Sequence, residues 1–323
     1  MAEAEKSSTQ GLSVVVVTLN PTFDLILEAE DFQIGKHQRA RVVDYLPAGK
    51  GLNVSRTLSR LGINSIITGF IGQENSSEFR QGLDDDNIVG QLFTVPGRTR
   101  QNITVIDPVK GTDTHIRLPG PEVSGEDLTK LGKKLGLLAE KGGVVVFAGS
   151  LPGGAEAEDL VRMVRICQNA GARVAVDTSG EPLEAVVAQG AWLIKPNRTE
   201  FAELTGQGEQ TLEEMVASAG ELLDRVENIL LSLGKEGAML INRGGALRAW
   251  RGKSQSAPAV NTVGSGDSLL GAFLAGIAKG RDLRDCLAEA VAVAWAACRT
   301  PIPASFDDEA ARSNREHVHL EQM

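Results

Sequence analysis

Five short apolar runs, Val14–Val17, Val144–Phe147, Val174–Asp177, Trp192–Lys195 and Ile229–Ser232, constrain this chain more than any other feature. Apolar runs of this length with little polar alternation suit strands buried on both faces, the condition of a parallel sheet covered by helices. Helical stretches such as Asp127–Glu140 and Glu158–Ala170 separate the later runs. Strand–helix alternation of this kind predicts right-handed βαβ units and an α/β fold with a mostly parallel sheet. Polar or small residues cluster where the strands end, at Asn20-Pro21-Thr22-Phe23-Asp24, Gly149-Ser150-Leu151-Pro152, Asp177-Thr178-Ser179-Gly180, Lys195-Pro196-Asn197 and Ser232-Leu233-Gly234. Ligands of open α/β sheets bind outside the carboxyl ends of the strands, so these clusters should line one crevice.

Other segments do not follow the alternation. Leu25–Leu46, Gln101–Ile106 and Asp113–Leu118 are short, mixed, β-like runs, the last two joined by a Pro-Val-Lys-Gly-Thr turn that suits a hairpin. Pattern alone leaves open whether they form a small separate sheet or surface excursions of the main one.

Two glycine-rich turns open helices. Gly264-Ser265-Gly266-Asp267 follows the extended stretch Pro258–Val263 and precedes Leu269, Leu270, Phe273, Leu274 and Ile277 at helical spacing, with Gly280 as the stop. The first N–H groups of a helix have no internal partner, and the helix dipole adds positive charge there, so small residues let an anion approach bare backbone. A carboxylate beside that anion, Asp267, makes sense if it accepts a proton from a hydroxyl attacking a phosphate; as a structural residue it would only complement the dipole. No Lys-Ser or Lys-Thr follows Gly266 as a Walker A loop requires, and Leu269 stands where the dinucleotide fingerprint needs its third Gly. The second turn, Pro47-Ala48-Gly49-Lys50-Gly51-Leu52-Asn53, adds a cation and an amide to a helix start that Gly62 closes.

Composition narrows the ligand. A formal charge of −9 with no basic block argues against a nucleic-acid surface, while leaving room for a local basic site. Cys167, Cys286 and Cys298 lack metal-like spacing and read as free thiols of a reducing, cytoplasmic setting. No stretch is long and apolar enough to span a membrane, and the polar first eleven residues lack a signal-peptide core. Ser150 lacks a nucleophile-elbow sequence, and His317 and His319 lie in a polar tail, so a serine hydrolase is poorly supported.

Taken in order, Ala48-Gly49-Lys50-Gly51-Leu52-Asn53 and Thr262-Val263-Gly264-Ser265-Gly266-Asp267-Ser268 resemble the paired signatures of the PfkB group of the ribokinase superfamily. Ala48 replaces the first Gly of one signature, and Ser265 the usual Ala of the other. Asn20–Asp24, Thr99-Arg100-Gln101-Asn102, Gly149–Pro152 and Asp177–Gly180 are similar to its hexose-phosphate branch, the 1-phosphofructokinases and tagatose-6-phosphate kinases. The resemblance implies a three-layer α/β/α core over residues 12–310, with a small β-sheet lid from segments near 23–46 and 97–119 and tails at 1–11 and 311–323. It implies ATP and Mg²⁺, a sugar-phosphate substrate, no nucleic acid or membrane partner, and a homodimer formed through the lid.

For the site, the resemblance implies that Asp24, Gly49 and Asn53 hold sugar hydroxyls. Lys50 and Arg100, helped by Asn102 and Ser150, hold the sugar's phosphate. Gly264, Ser265 and Gly266 hold developing charge, with Asp267 as the base. Lys195, Asn197, Ser232, Gly234, Gly237 and Thr262 lie on the nucleotide side, and Asn197 and Glu200 position Mg²⁺ through water. Asn197 and Glu200 also read as a helix N-cap and its capping-box partner, and both roles can hold together. The expected reaction is phosphorylation of fructose 1-phosphate. Tagatose 6-phosphate or fructose 6-phosphate are the near alternatives, and a non-catalytic sugar-phosphate or nucleotide sensor is a distant one.

Overall fold

The computed structural model describes residues 12–244, 246–255 and 258–323. A ten-stranded sheet forms the spine, and seven of its strands are mutually parallel. From one edge inward these are Val89–Val95, Ser65–Gly72, Val14–Thr18, Val144–Ala148, Arg173–Asp177, Ala191–Ile194 and Val226–Ser232. Three antiparallel strands, Ala238–Gly244, Ala246–Lys253 and His319–Gln322, complete the other edge.

The reason for the parallel core is visible in Val14–Thr18, where every residue is buried. Val14 and Val16 pack into the cluster holding Leu52, Val54, Leu58, Leu269, Leu270 and Leu287. Val15 and Val17 pack on the opposite side, with Leu131, Leu135, Leu160 and Val164. Helices therefore cover both faces in three layers, and each fully buried Val contributes roughly 1.5–3 kcal/mol. The chain first builds outward from Val14–Thr18 to the strands at Ser65 and Val89, then returns to its other side with the strand at Val144. That reversal makes the end of Val14–Thr18 a topological switch point, where a crevice opens.

The irregular β-like segments form a separate four-stranded sheet in the order Arg41–Ala48, Thr22–Glu28, Arg100–Asp107, Thr112–Arg117. Phe23 anchors it to the core by stacking on Tyr45 and meeting Phe79 edge-on.

The expected flexible tail at 311–323 is corrected by the structure. A helix, Asp308–Arg315, starts from Asp307, whose side chain accepts from the N–H groups of Glu309 and Ala310. His319–Gln322 then joins the main sheet against Ala246–Lys253. The segment looked like a tail because its helix buries only Ala311 and Asn314; polar anchoring, with Asn314 Oδ1 accepting from Ser254 Oγ at 2.7 Å, replaces the apolar stripe that marks other helices. The expected tail at 1–11 lies outside the described residues. The stretch Pro258–Val263 forms no strand; the N–H groups of Val260 and Asn261 instead donate to the Cys298 carbonyl.

Candidate active site

Two helix N-termini meet at the switch point. The helix Lys50–Arg60 begins after Gly49, at φ 118°, and the helix Ser265–Ala278 begins after Gly264, at φ 78°. Both angles lie in the region that favours glycine. The two helices cross at Gly271, where a Cβ would stand 2.7 Å from Thr57 Cβ and 3.0 Å from the Val54 carbonyl oxygen. This close crossing carries Asn53 to Asp267, and the amide donates to the carboxylate, Nδ2 to Oδ2, at 2.8 Å.

Asp267 is 7% exposed. Burial pushes its pKa up from 3.8 to about 6, and the nearby Asp177 charge adds to the rise; the Asn53 hydrogen bond and the Lys50 and Lys195 charges oppose it. A carboxylate raised this far is a better proton acceptor near neutral pH than an ordinary Asp, yet remains mostly ionised there.

Asp177, fully buried at the end of its strand, accepts from Lys50 Nζ at 2.9 Å and pairs with Lys195 Nζ at 3.2 Å. Burial alone would raise its pKa, but the two ammonium groups outweigh burial and hold it below the usual carboxylate range. The same partner raises the Lys50 pKa against the opposing effect of burial. The Lys195 ammonium also stands 3.4 Å from where a Gly266 Cβ would be. One carboxylate thus gathers two cations beside the Gly264–Gly266 turn. In the sequence Asp177 stands in a strand-end cluster with nothing to mark its role. A lone Asp after an apolar strand carries no sign of which distant lysines will reach it.

The four-stranded sheet supplies the next wall. Asn102 donates to Asp24 Oδ1 at 3.2 Å, and burial raises the Asp24 pKa against that bond and the Arg56 and Arg100 charges. Arg100 Nη2 donates to the Asn20 carbonyl at 3.1 Å, while Asn20 Nδ2 donates to Ser150 Oγ at 3.2 Å. Asn20 therefore brings Arg100 and Ser150 together, a link that sequence gave no means of seeing. Four buried atoms here find no hydrogen-bond partner among the described residues: Asn20 Oδ1, Asn53 Oδ1, Asn102 Oδ1 and Arg100 Nε. Buried polar groups are rarely left unpaired, and three acceptors with one cationic donor suit a ligand with hydroxyls and an anion.

On the far side of the Gly264–Gly266 turn lies a cavity of about 290 Å³, walled by Ser232, Gly234, Gly237, Thr262, Ser265 and Gly266. Val291, Ala294, Trp295 and Arg299 also line it. Arg299 stacks over the Trp295 ring at 4.8 Å, and Trp295 Nε1 donates to the Gln255 carbonyl at 3.0 Å. Lys195 and Asn197 do not line this cavity. Lys195 sits at the Asp177 junction, and Asn197 is the N-cap of the helix Arg198–Thr205. Asn197 Oδ1 accepts from the Glu200 N–H at 2.9 Å, and Glu200 Oε2 accepts from the Asn197 N–H at 2.8 Å, so the capping box forms.

The chain matches the pfkB family of carbohydrate kinases over residues 12–308. It belongs to that family. It is 31% identical over 282 residues to the 1-phosphofructokinase of Haemophilus influenzae, covering 87% of this chain and 89% of the relative. It is 34% identical over 267 residues to the 1-phosphofructokinase of Bacillus subtilis, covering 82% and 86%. Its fold matches phosphofructokinase-2 from Escherichia coli with a TM-score of 0.89 at 24% identity, covering 94% of this chain and 98% of the other. This pfkB kinase therefore has the α/β core and small second sheet implied by its two glycine-rich signatures. No described helix is long and apolar enough to cross a membrane.

Proposed function

We propose that this pfkB kinase transfers the terminal phosphoryl group of ATP to the free 6-hydroxyl of fructose 1-phosphate. The observation that carries the reading is the convergence of a helix start without a side-chain cap, at Gly264–Gly266, with a buried carboxylate whose pKa is raised to about 6. The 1-phosphofructokinase names of relatives at 31% and 34% identity support the substrate.

In this reading the nucleotide fills the cavity beside Trp295, with its terminal phosphate against the Gly264–Gly266 amides and Lys195. The sugar lies under the lid sheet. Asp24, Gly49 and Asn53 take its hydroxyls, and Arg100 and Lys50, helped by Asn102 and Ser150, take its phosphate. Asp267 stands between the two substrates and accepts the proton of the attacking hydroxyl. Phosphoryl transfer asks little covalent chemistry of a protein, so alignment and charge neutralisation supply most of the acceleration. Lys50 and Lys195, held by one Asp177, fix the two anionic ends relative to each other.

The residues near Glu200 suit Mg²⁺, because Glu200 uses one oxygen in the capping box and keeps the other free, and oxygen donors joined by water match a hard, reluctantly dehydrated cation. When bound, the ion would neutralise charge on the ATP oxygens. The lid edges expose Val42 and Ile116, at 59% and 47%, which supports a homodimer formed through the lid.

The test is a coupled ADP-release assay comparing fructose 1-phosphate, fructose 6-phosphate and tagatose 6-phosphate by kcat/KM. The reading expects fructose 1-phosphate to lead. Preference for either 6-phosphate would overturn the substrate, and no ADP release with any of them would overturn the activity.

A further inference from the structure

The lid carries a second arginine that the phosphate site described above does not use. Arg117 lies directly opposite Asn102 in the antiparallel pair, and Asn102 shares its face with Asp24, to which it is hydrogen-bonded. Arg100 is two residues from Asn102 on the same strand and so points to the same face. Arg100 and Arg117 are therefore diagonal neighbours, and such positions lie about 7–8 Å apart, within reach of long side chains.

Like charges placed this way repel. Burial, then the Arg117 charge, lower the Arg100 pKa from its ordinary value. Among the described residues neither guanidinium has a carboxylate at ion-pair distance. The next residue on that face of the Arg117 strand, His115, is already engaged by Asp113 at 2.9 Å and Thr104 at 3.1 Å. Arg100 also holds a buried Nε without a partner. Two adjacent cations, one with an unused buried donor, make a strained arrangement that an anion bound between them would relieve.

We propose that Arg117 is a second phosphate-binding residue, reaching from the lid to grip the substrate's phosphate opposite Arg100 and selecting a phosphorylated ketohexose over an unphosphorylated one. The inference rests on the ketohexose-phosphate reading. Closing Arg117 on a dianion adds a charge-assisted contact that a neutral sugar cannot return. Because Arg117 sits on an edge strand of the lid, it also makes lid position depend on the substrate's charge.

The experiment measures steady-state kinetics of the native protein, Arg117→Ala and Arg117→Lys with fructose 1-phosphate, unphosphorylated fructose and ATP. Inhibition by inorganic phosphate is measured in parallel. Arg117→Ala should raise KM for fructose 1-phosphate roughly 10- to 100-fold, the worth of a lost hydrogen bond to a charged group. KM for ATP and the weak rate with fructose should stay within about twofold, inhibition by phosphate should weaken, and Arg117→Lys should recover part of the loss. A merely structural role for Arg117 would disturb all substrates alike, and that result would overturn the inference. So would an unchanged KM for fructose 1-phosphate in Arg117→Ala while the native protein turns it over, which leaves the ketohexose-phosphate reading intact. Failure of the native protein to act on any ketohexose phosphate would overturn that reading and this inference together.

Discussion

Replacing Asp267 with Asn should make the protein more stable. The carboxylate titrates at about 6 in the folded protein against 3.8 as an ordinary Asp. The difference, about 2 pKa units, corresponds to a penalty of about 3 kcal/mol for holding the ionised group in the native state. The sign follows from proton binding. Between the two pKa values the native protein binds more protons than the unfolded chain, so native stability falls as pH rises through that window. Well below pH 3.8 the group is protonated in both states and the penalty vanishes. At pH 5 roughly half of it is present, and above pH 7 nearly all. An isosteric amide carries no such penalty and can still meet Asn53 after reorienting. Urea unfolding of the native protein and Asp267→Asn at pH 5, 6, 7 and 8 would show the variant more stable, with a gap that widens by about 1 kcal/mol across the series. A variant that is less stable at pH 8, or a gap that narrows with rising pH, would refute the reasoning that burial and Asp177 strain this carboxylate. Such strain at a site that needs it is the usual form of a stability–activity trade-off.

Three further outcomes follow from neighbouring contacts. Arg100→Ala should raise KM for the sugar phosphate roughly 10- to 100-fold while leaving KM for ATP nearly unchanged, and equal effects on both would argue against a phosphate-binding role. Asp177→Asn leaves the Lys50 and Lys195 ammonium groups without their shared carboxylate. It should cost about 3 kcal/mol in chemical unfolding, the low end for breaking a buried pair because Lys50 reaches solvent, and a variant of native stability would show that the lysines are held by something else. Gly271→Ala places a methyl 2.7 Å from Thr57 Cβ and should destabilise by about 1–3 kcal/mol, with a fall in kcat as Asn53 and Asp267 separate; unchanged kcat would mean that the helix crossing does not set their alignment.

What could be read from sequence and what could not divide along physical lines. Val14–Val17 announced a parallel sheet because burial on both faces removes polar alternation, and the Gly264 and Gly49 turns announced helix starts because small residues before a periodic run have few other uses. The glycine turns also located Asp267 and Asn53. Their hydrogen bond depends on how closely two helices cross, set by Gly271 against Thr57, a pair 214 positions apart. Asp177 escaped assignment for a related reason: its partners come from a loop after one strand and the start of a helix built from another part of the chain. Asn20, which ties Arg100 to Ser150, and Trp295, which lines the cavity beside the Gly264–Gly266 turn, act through contacts that no local pattern encodes. The C-terminal helix and strand were missed because Asn314 anchors them with polar bonds where sequence reading looks for an apolar stripe.

The most direct test of Asp267 as the proton acceptor compares kcat for fructose 1-phosphate in the native protein and in Asp267→Asn, with sugar-phosphate binding measured calorimetrically on the same preparations. A general base contributes about 10²- to 10⁴-fold, so kcat should fall by at least two orders of magnitude while the dissociation constant of fructose 1-phosphate changes by less than about threefold. A folded Asp267→Asn protein with near-native kcat would contradict the account at its centre.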